Sequence, residues 1–185
     1  MRLSFYLLLL LSSAILLTIC WRPAFSADFK VHPPQTEAEK VLGEILSLEA
    51  KDAGLAAFAL GIPTNVPATD KRYGQFFTTA FLNALRKTQA DLIQSDCGGI
   101  ERDDEPCGFG FNPIVCGQDV FDVYLFRTIK AGEGSVIVAV HGSEVETVAD
   151  EKEFVYYSMI RQEGVWKVDG IDCRDGGAFN MPSVR

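Results

Sequence analysis

Asp119, Asp122, Tyr124, His141, Tyr156 and Tyr157 fall on or beside predicted strands, and Tyr73 lies on a predicted aromatic helix. Carboxylate, phenol and imidazole are the groups of general acid–base catalysis, provided a pocket perturbs their proton affinities. Strand alternation sends Asp122 and Tyr124 to one face and Phe121 and Val123 to the other, so membership of one strand does not assemble a site. His141 closes the most apolar strand, in phase with Ile137 and Ala139. Without a carboxylate partner it reads as a half-exposed structural residue. No Gly-x-Ser-x-Gly elbow occurs, which disfavours serine hydrolase chemistry. Tyr156 and Tyr157 also make sense as cross-strand aromatic pairs, and Trp166 as a core filler. Tyr73, Asp119, Tyr124, His141 and Tyr157 are therefore ligand-binding candidates, with no residue given a catalytic role.

A second candidate is the stretch Asn112-Pro113-Ile114-Val115-Cys116-Gly117-Gln118-Asp119, where an amide, a thiol and a carboxylate lie close together. As a nucleophile Cys116 would need an activating base, and none is placed by the sequence. Read as a joint, Pro113 extends Asn112, Ile114 and Val115 enter the sheet's edge, Gly117 permits a bend, and Gln118-Asp119 bond to neighbouring backbone. The joint is the preferred reading, with Asp119 kept as a functional candidate.

Residues 1–26 resemble a secretory signal: Arg2 precedes an apolar run over residues 6–20, and Ala24-Phe25-Ser26 offers a small-x-small cleavage site. A retained anchor would need a longer apolar core, and lipidation at Cys20 is opposed by the bulky Ile19 before it. Removal of the signal leaves fifteen basic and twenty-five acidic residues, a net charge of −10. That sign opposes nucleic acid and anionic membrane as partners. Four cysteines remain, Cys97, Cys107, Cys116 and Cys173, and an even count in an oxidising compartment predicts two disulfides. Three pairings are possible; Cys97 with Cys107 and Cys116 with Cys173 are favoured, the second because it ties the start of the sheet to its end. Zinc is disfavoured by the lack of Cys-x-x-Cys spacing and by the presence of only His32 and His141. The acidic run Glu101-Arg102-Asp103-Asp104-Glu105 lacks the alternating acids and glycine of a calcium loop and reads as a solvated charge cluster. No cofactor and no metal are expected.

The elements that must position these residues follow from pattern. After a lead over residues 27–35, Thr36-Glu37-Ala38-Glu39 has the form of a capping box, and Val41, Leu42, Ile45, Leu46 and Leu48 give the helix an apolar stripe. Tyr73, Phe76, Phe77, Ala80, Phe81, Ala84 and Leu85 repeat at helical spacing behind Thr69 or Asp70, which predicts a second helix with a largely aromatic core face. Residues 94–119 read as a long loop in need of a staple. Four strands are predicted over residues 120–130, 135–142, 152–162 and 165–173, the last two joined by the two-residue turn Glu163-Gly164. The continuous apolar run over residues 136–140 suits a central strand covered on both faces. Helices followed by an antiparallel meander predict an α+β fold, with N-terminal helices packed on a curved four-stranded sheet. The domain is expected over residues 36–176, with a tail over residues 177–185.

Three short motifs spread over this span carry a resemblance. Phe76-Phe77-Thr78-Thr79-Ala80-Phe81-Leu82, the Asn112-to-Asp119 stretch, and Val165-Trp166-Lys167-Val168-Asp169-Gly170-Ile171 are similar, in order and spacing, to a helix start, a strand start and a closing strand of the domain of unknown function 3828 family. That family consists of exported bacterial proteins within the nuclear-transport-factor-2-like, cystatin-like α+β cone superfamily. Asn112, Thr79 and Gly170 depart from its pattern, so roles requiring those groups are not carried over. The resemblance implies the cone fold and a periplasmic or secreted location, and assigns no chemistry.

Three functional readings follow. The first is an exported, non-catalytic binding or interaction module, its concave face taking a small apolar ligand or an envelope protein segment. The second, implied by isomerases and cyclases of the superfamily, is an enzyme using Asp119 or Asp122 with a tyrosine in an apolar pocket. The third is a periplasmic inhibitor or immunity-type protein presenting the acidic loop to a basic partner.

Overall fold

In the computed structural model, residues 31–52, 54–62, 72–99, 107–118, 120–143 and 154–173 are described. The expected signal, the acidic loop at residues 101–105, Asp119 and the tail lie outside them. Helix α1, Glu37–Lys51, starts at Thr36 as its sequence requires. The Thr36 hydroxyl accepts from the Glu39 amide, and the Glu39 carboxylate accepts from the amides of Gln35 and Thr36. Glu39 is fully buried, and its other oxygen accepts the Thr128 hydroxyl at 2.9 Å. Burial raises its proton affinity, but the Thr36 and Gln35 amides, Thr128 and nearby His32 outweigh that and hold its pKa below the ordinary value. One side chain thus caps the helix and fixes it to the first strand.

Helix α2, Gly54–Leu60, is short, and Arg86 secures its end by donating to the carbonyls of Phe58 and Ala59. The aromatic stripe is not one helix as its spacing predicts. Gly74–Phe76 is a single 3-10 turn, Phe77 is extended and bridges the last strand at Val168, and helix α3 runs Thr79–Cys97 behind Thr78. Thr78 causes the break: its hydroxyl accepts from the Phe81 amide and donates to Asp169, while its own amide donates to the Val168 carbonyl. Capping and sheet pairing together outweigh helical continuation. The stripe still faces the core, with Phe77 and Phe81 stacked 5.8 Å apart.

The sheet is an antiparallel meander in the order β1 (Val123–Gly132), β2 (Ser135–Ser143), β3 (Val155–Gln162), β4 (Val165–Cys173). Glu163 and Gly164 both have positive φ, as the expected two-residue turn between β3 and β4 demands. Register shifts at Thr128/Lys130 and at Ser158/Met159 place bulges on the outer strands, which bend the sheet. The architecture is the expected α+β fold with an open sheet. Phe126, Val136, Val138, Val140, Tyr157, Met159, Val168 and Ile171 line its helix side with Leu42, Ile45, Leu46 and Leu85. Ala139, Phe154 and Tyr156 cluster on the other side, so β2 is covered on both faces as its apolar run implies.

Candidate functional site

Ala38, Leu42, Ile45 and Glu49 follow one another at helical spacing on the buried face of α1, which puts a carboxylate at a core position in the last turn. Glu49 is only 3% exposed. Asn112 Nδ2 donates to one of its oxygens at 2.6 Å and the Ala56 amide to the other at 3.0 Å. Burial pushes its pKa up, the two donors pull it back, Asp52 adds repulsion, and the balance stays above the ordinary glutamate value. The sequence reading missed this carboxylate in favour of Asp119 and Asp122. Its place on the α1 stripe was the available signal.

Three of the expected tyrosines gather on the same side of the sheet. Tyr157 is fully buried and donates to the Ile114 carbonyl at 2.7 Å. Burial first, then neighbouring Tyr124, raises its pKa. Tyr124 accepts from the Phe121 amide; burial raises its pKa against that bond, and the Glu49 charge adds to the rise. Tyr73 donates to Asp52 at the end of α1, and burial followed by Asp52 raises its pKa. His141 does not join them. It pairs with Leu125 on the opposite face, where its ring meets Phe154 at 5.7 Å, and at 7% exposure it is buried rather than half-exposed. Phe154 packing explains the difference. Asp122 is exposed at the foot of β1.

Between Glu49 and Tyr157 sits the stretch starting at Asn112. Ile114 and Val115 do not enter a strand; they form a buried turn inserted between α1 and β3. Asn112 organises it: its side-chain oxygen accepts from the Ile114 amide, and its backbone amide donates to the Gly117 carbonyl. The left-handed position falls on Cys116, φ 56°, not on Gly117. Cys116 is bridged to Cys173 at the end of β4, and Cys97 to Cys107, the two favoured pairings. The turn is thus a plug whose Ile114, fully buried, fills the space between the carboxylate and the tyrosine.

The other end of the sheet is built differently. A groove of about 260 Å³ lies between the start of α1 and the hairpin ends, lined by Thr36, Ala38, Thr128, Val136, Arg161 and Trp166. The Thr36 hydroxyl accepts from the Glu39 amide and the Thr128 hydroxyl donates to the Glu39 carboxylate, while Glu37 and Ser135 share the lining with apolar Ala38, Val136 and Trp166. At the rim Arg161 donates to the Gly164 carbonyl and faces Glu37 at 3.6 Å, both side chains being largely exposed. A further groove of about 380 Å³ lies between the end of α2 and α3.

Among the described residues no group of three or more His, Cys, Asp or Glu is placed to hold a metal ion. No described helix is long and apolar enough to cross a membrane. No protein-family model, curated protein or solved structure matches the chain.

Proposed function

We propose that the chain is an exported, non-catalytic interaction module of the nuclear-transport-factor-2-like cone type, whose hairpin-end groove takes one apolar side-chain anchor of a partner protein. The carrying observation is the contrast in how polar groups are used. At the plugged end each hydroxyl of Tyr73, Tyr124 and Tyr157, and both oxygens of Glu49, have protein partners. At the hairpin end a groove lined in part by Ala38, Val136 and Trp166 remains open. Its volume is below the roughly 300–1,000 Å³ of small-molecule sites and suits a single side chain. Trp166 supplies the kind of half-buried aromatic wall that dominates interface energetics. Val165 and Ile129, next in sequence to Trp166 and Thr128, are 50% and 44% exposed. The net charge of −8, which would become −10 on removal of residues 1–26, favours a partner with basic residues around its anchor. Two disulfides are consistent with an oxidising, extracytoplasmic setting.

The test is affinity capture from an envelope fraction with wild type and Trp166→Ala in parallel, followed by titration of the purified partner. Binding should weaken at least tenfold in the variant while the fold is kept. Equal binding by both proteins removes the groove from the reading. A proton-transfer enzyme is the second reading, favoured by the raised pKa of Glu49 near two tyrosines. It requires Ile114 to leave the cone, and a structure with a substrate-like ligand bound while Ile114 stays in place would rule that route out.

A further inference from the structure

We propose that the plug is an internal occupant of a second, ligand-binding site, and that reduction of Cys116–Cys173 opens that site to an apolar small molecule bearing a carbonyl acceptor. The turn presents what such a ligand would present. It offers a branched apolar side chain, Ile114, fully withdrawn from water, and a carbonyl that takes the hydroxyl of buried Tyr157 at 2.7 Å. Val115 and Pro113 are buried beside it. Ile114 and Val115 pack in the main hydrophobic core, but the segment belongs to no helix or strand, and beyond that packing a few polar and covalent ties hold it. These are the Asn112 contact to Glu49, the Asn112–Gly117 closure, the Tyr157 bond and the single covalent link to β4.

Among those ties only the bridge can be cut by chemistry outside the fold. Cys173 is 5% exposed and Cys116 is half-buried, so the Cys116 end of the bridge is the less enclosed one. The Sγ–Sγ bond takes two electrons and two protons from a dithiol reductant, giving two thiols here and a disulfide in the reductant. Cys116 also holds a left-handed backbone conformation that a non-glycine residue adopts at a cost. Freed of the bridge, it can relax, and the turn can swing out. The vacated volume is walled by Tyr157, Tyr124 and the apolar helix side of the sheet, with Glu49 at its margin. Tyr157 then needs a new acceptor, since a buried hydroxyl without a partner is costly. That need selects a carbonyl or an equivalent acceptor in the incoming molecule.

Prodan, a neutral naphthyl ketone whose emission shifts to the blue in apolar surroundings, is the probe. It is titrated into the mature chain in oxidised form, after treatment with dithiothreitol, and into Cys116→Ser/Cys173→Ser. A further variant, Ile114→Gly, keeps both bridges and removes the plug's side chain while its backbone carbonyl still accepts from Tyr157, and near-UV circular dichroism follows tertiary packing throughout. The expected result is saturable binding by the reduced protein and the double variant, at least tenfold tighter than by the oxidised wild type or by Ile114→Gly. Adding Tyr157→Phe to Cys116→Ser/Cys173→Ser should weaken binding severalfold, and adding Trp166→Ala should not. Absence of saturable binding by the folded double variant overturns the proposal, as does equal binding by the oxidised wild type. Indifference to Tyr157→Phe removes the carbonyl contact and with it the ligand class. If reduction abolishes the near-UV signal, the turn is a core member rather than an occupant, and the proposal falls.

Discussion

The two ends of the sheet solve the same problem, closing a curved sheet against a helix, by different means. At the hairpin end the helix closes on the sheet with its own side chain: Glu39 of the capping box accepts from one strand residue, Thr128, 89 positions away, and two tight turns end the strands. At the opposite end an inserted segment makes the closure. Residues 112–117 are drawn in between α1 and β3 and joined to β4 through Cys116–Cys173. Direct contact needs no inserted chain and leaves a groove; an inserted segment fills the space and requires a partner for every polar atom it carries inside. The comparison teaches that the chemically richest residues of this chain lie where the interior is most completely filled. The emptier end has apolar wall, hydroxyls of threonine and serine, and the exposed Arg161–Glu37 pair at its rim.

The comparison can be broken most forcefully at the bridge. Cys116→Ser should destabilise by about 4 kcal/mol, within the roughly 2–5 kcal/mol usual for a native disulfide, and Cys97→Ser by about 3 kcal/mol because it releases a shorter loop. Denaturant unfolding under oxidising conditions measures both. Next comes Tyr157→Phe, which leaves the Ile114 carbonyl buried without its donor and should cost about 1–3 kcal/mol. Glu49→Gln should cost about 1 kcal/mol at neutral pH, since an amide nitrogen must then face either Asn112 Nδ2 or the Ala56 amide.

The same variant sharpens the comparison through pH. Glu49 has a raised pKa in the folded chain, so the native state holds its proton more tightly than the unfolded state. Its contribution is most favourable below the ordinary value and declines as pH rises through the raised one. Asp52, one turn on, is held low by Tyr73 first and then by the Gly54 amide, and so stabilises above its ordinary value and loses that effect in acid. Glu49→Gln should therefore flatten the decline in stability above the ordinary glutamate range. A wild-type and variant pair with parallel profiles would contradict the assignment. At the hairpin end Thr36→Ala should cost about 1 kcal/mol by loss of the cap. Arg161→Ala should stay within about 0.5 kcal/mol, as its ion pair is exposed.

Local signals were legible in the sequence. The capping box, the Glu163-Gly164 turn and the doubly covered β2 all depend on residues within a few positions of each other, and each took the form its pattern requires. Legibility failed where distant residues decide. Phe76 and Phe77 keep helical spacing, yet Phe77 is extended because Val168 and Asp169 compete for it and for Thr78. Ile114 and Val115 have strand composition, but Glu49 and Tyr157 capture the turn that carries them. Of the site candidates, Tyr73, Tyr124 and Tyr157 share one side of the sheet, while His141 faces the other. Glu49 was readable from its place in the α1 stripe. It was passed over because an acid near strands drew more notice than an acid on an apolar helix face.

The connectivity of the bridges bears on how the chain reaches its native state. Cys116 and Cys173 are separated by 57 residues, and every strand of the sheet lies between them, whereas Cys97 and Cys107 are separated by 10. Cys107 and Cys116 are closer in sequence than either native pair. On loop-closure entropy alone an unfolded chain would therefore oxidise that wrong pair readily. Cys173 lies opposite Val155 in the β3–β4 pair, and the turn carrying Cys116 is held by Tyr157 of β3, so pairing of these two strands favours the last correct oxidation. Maturation thus calls for either rapid hairpin assembly or a disulfide isomerase that reopens premature pairs.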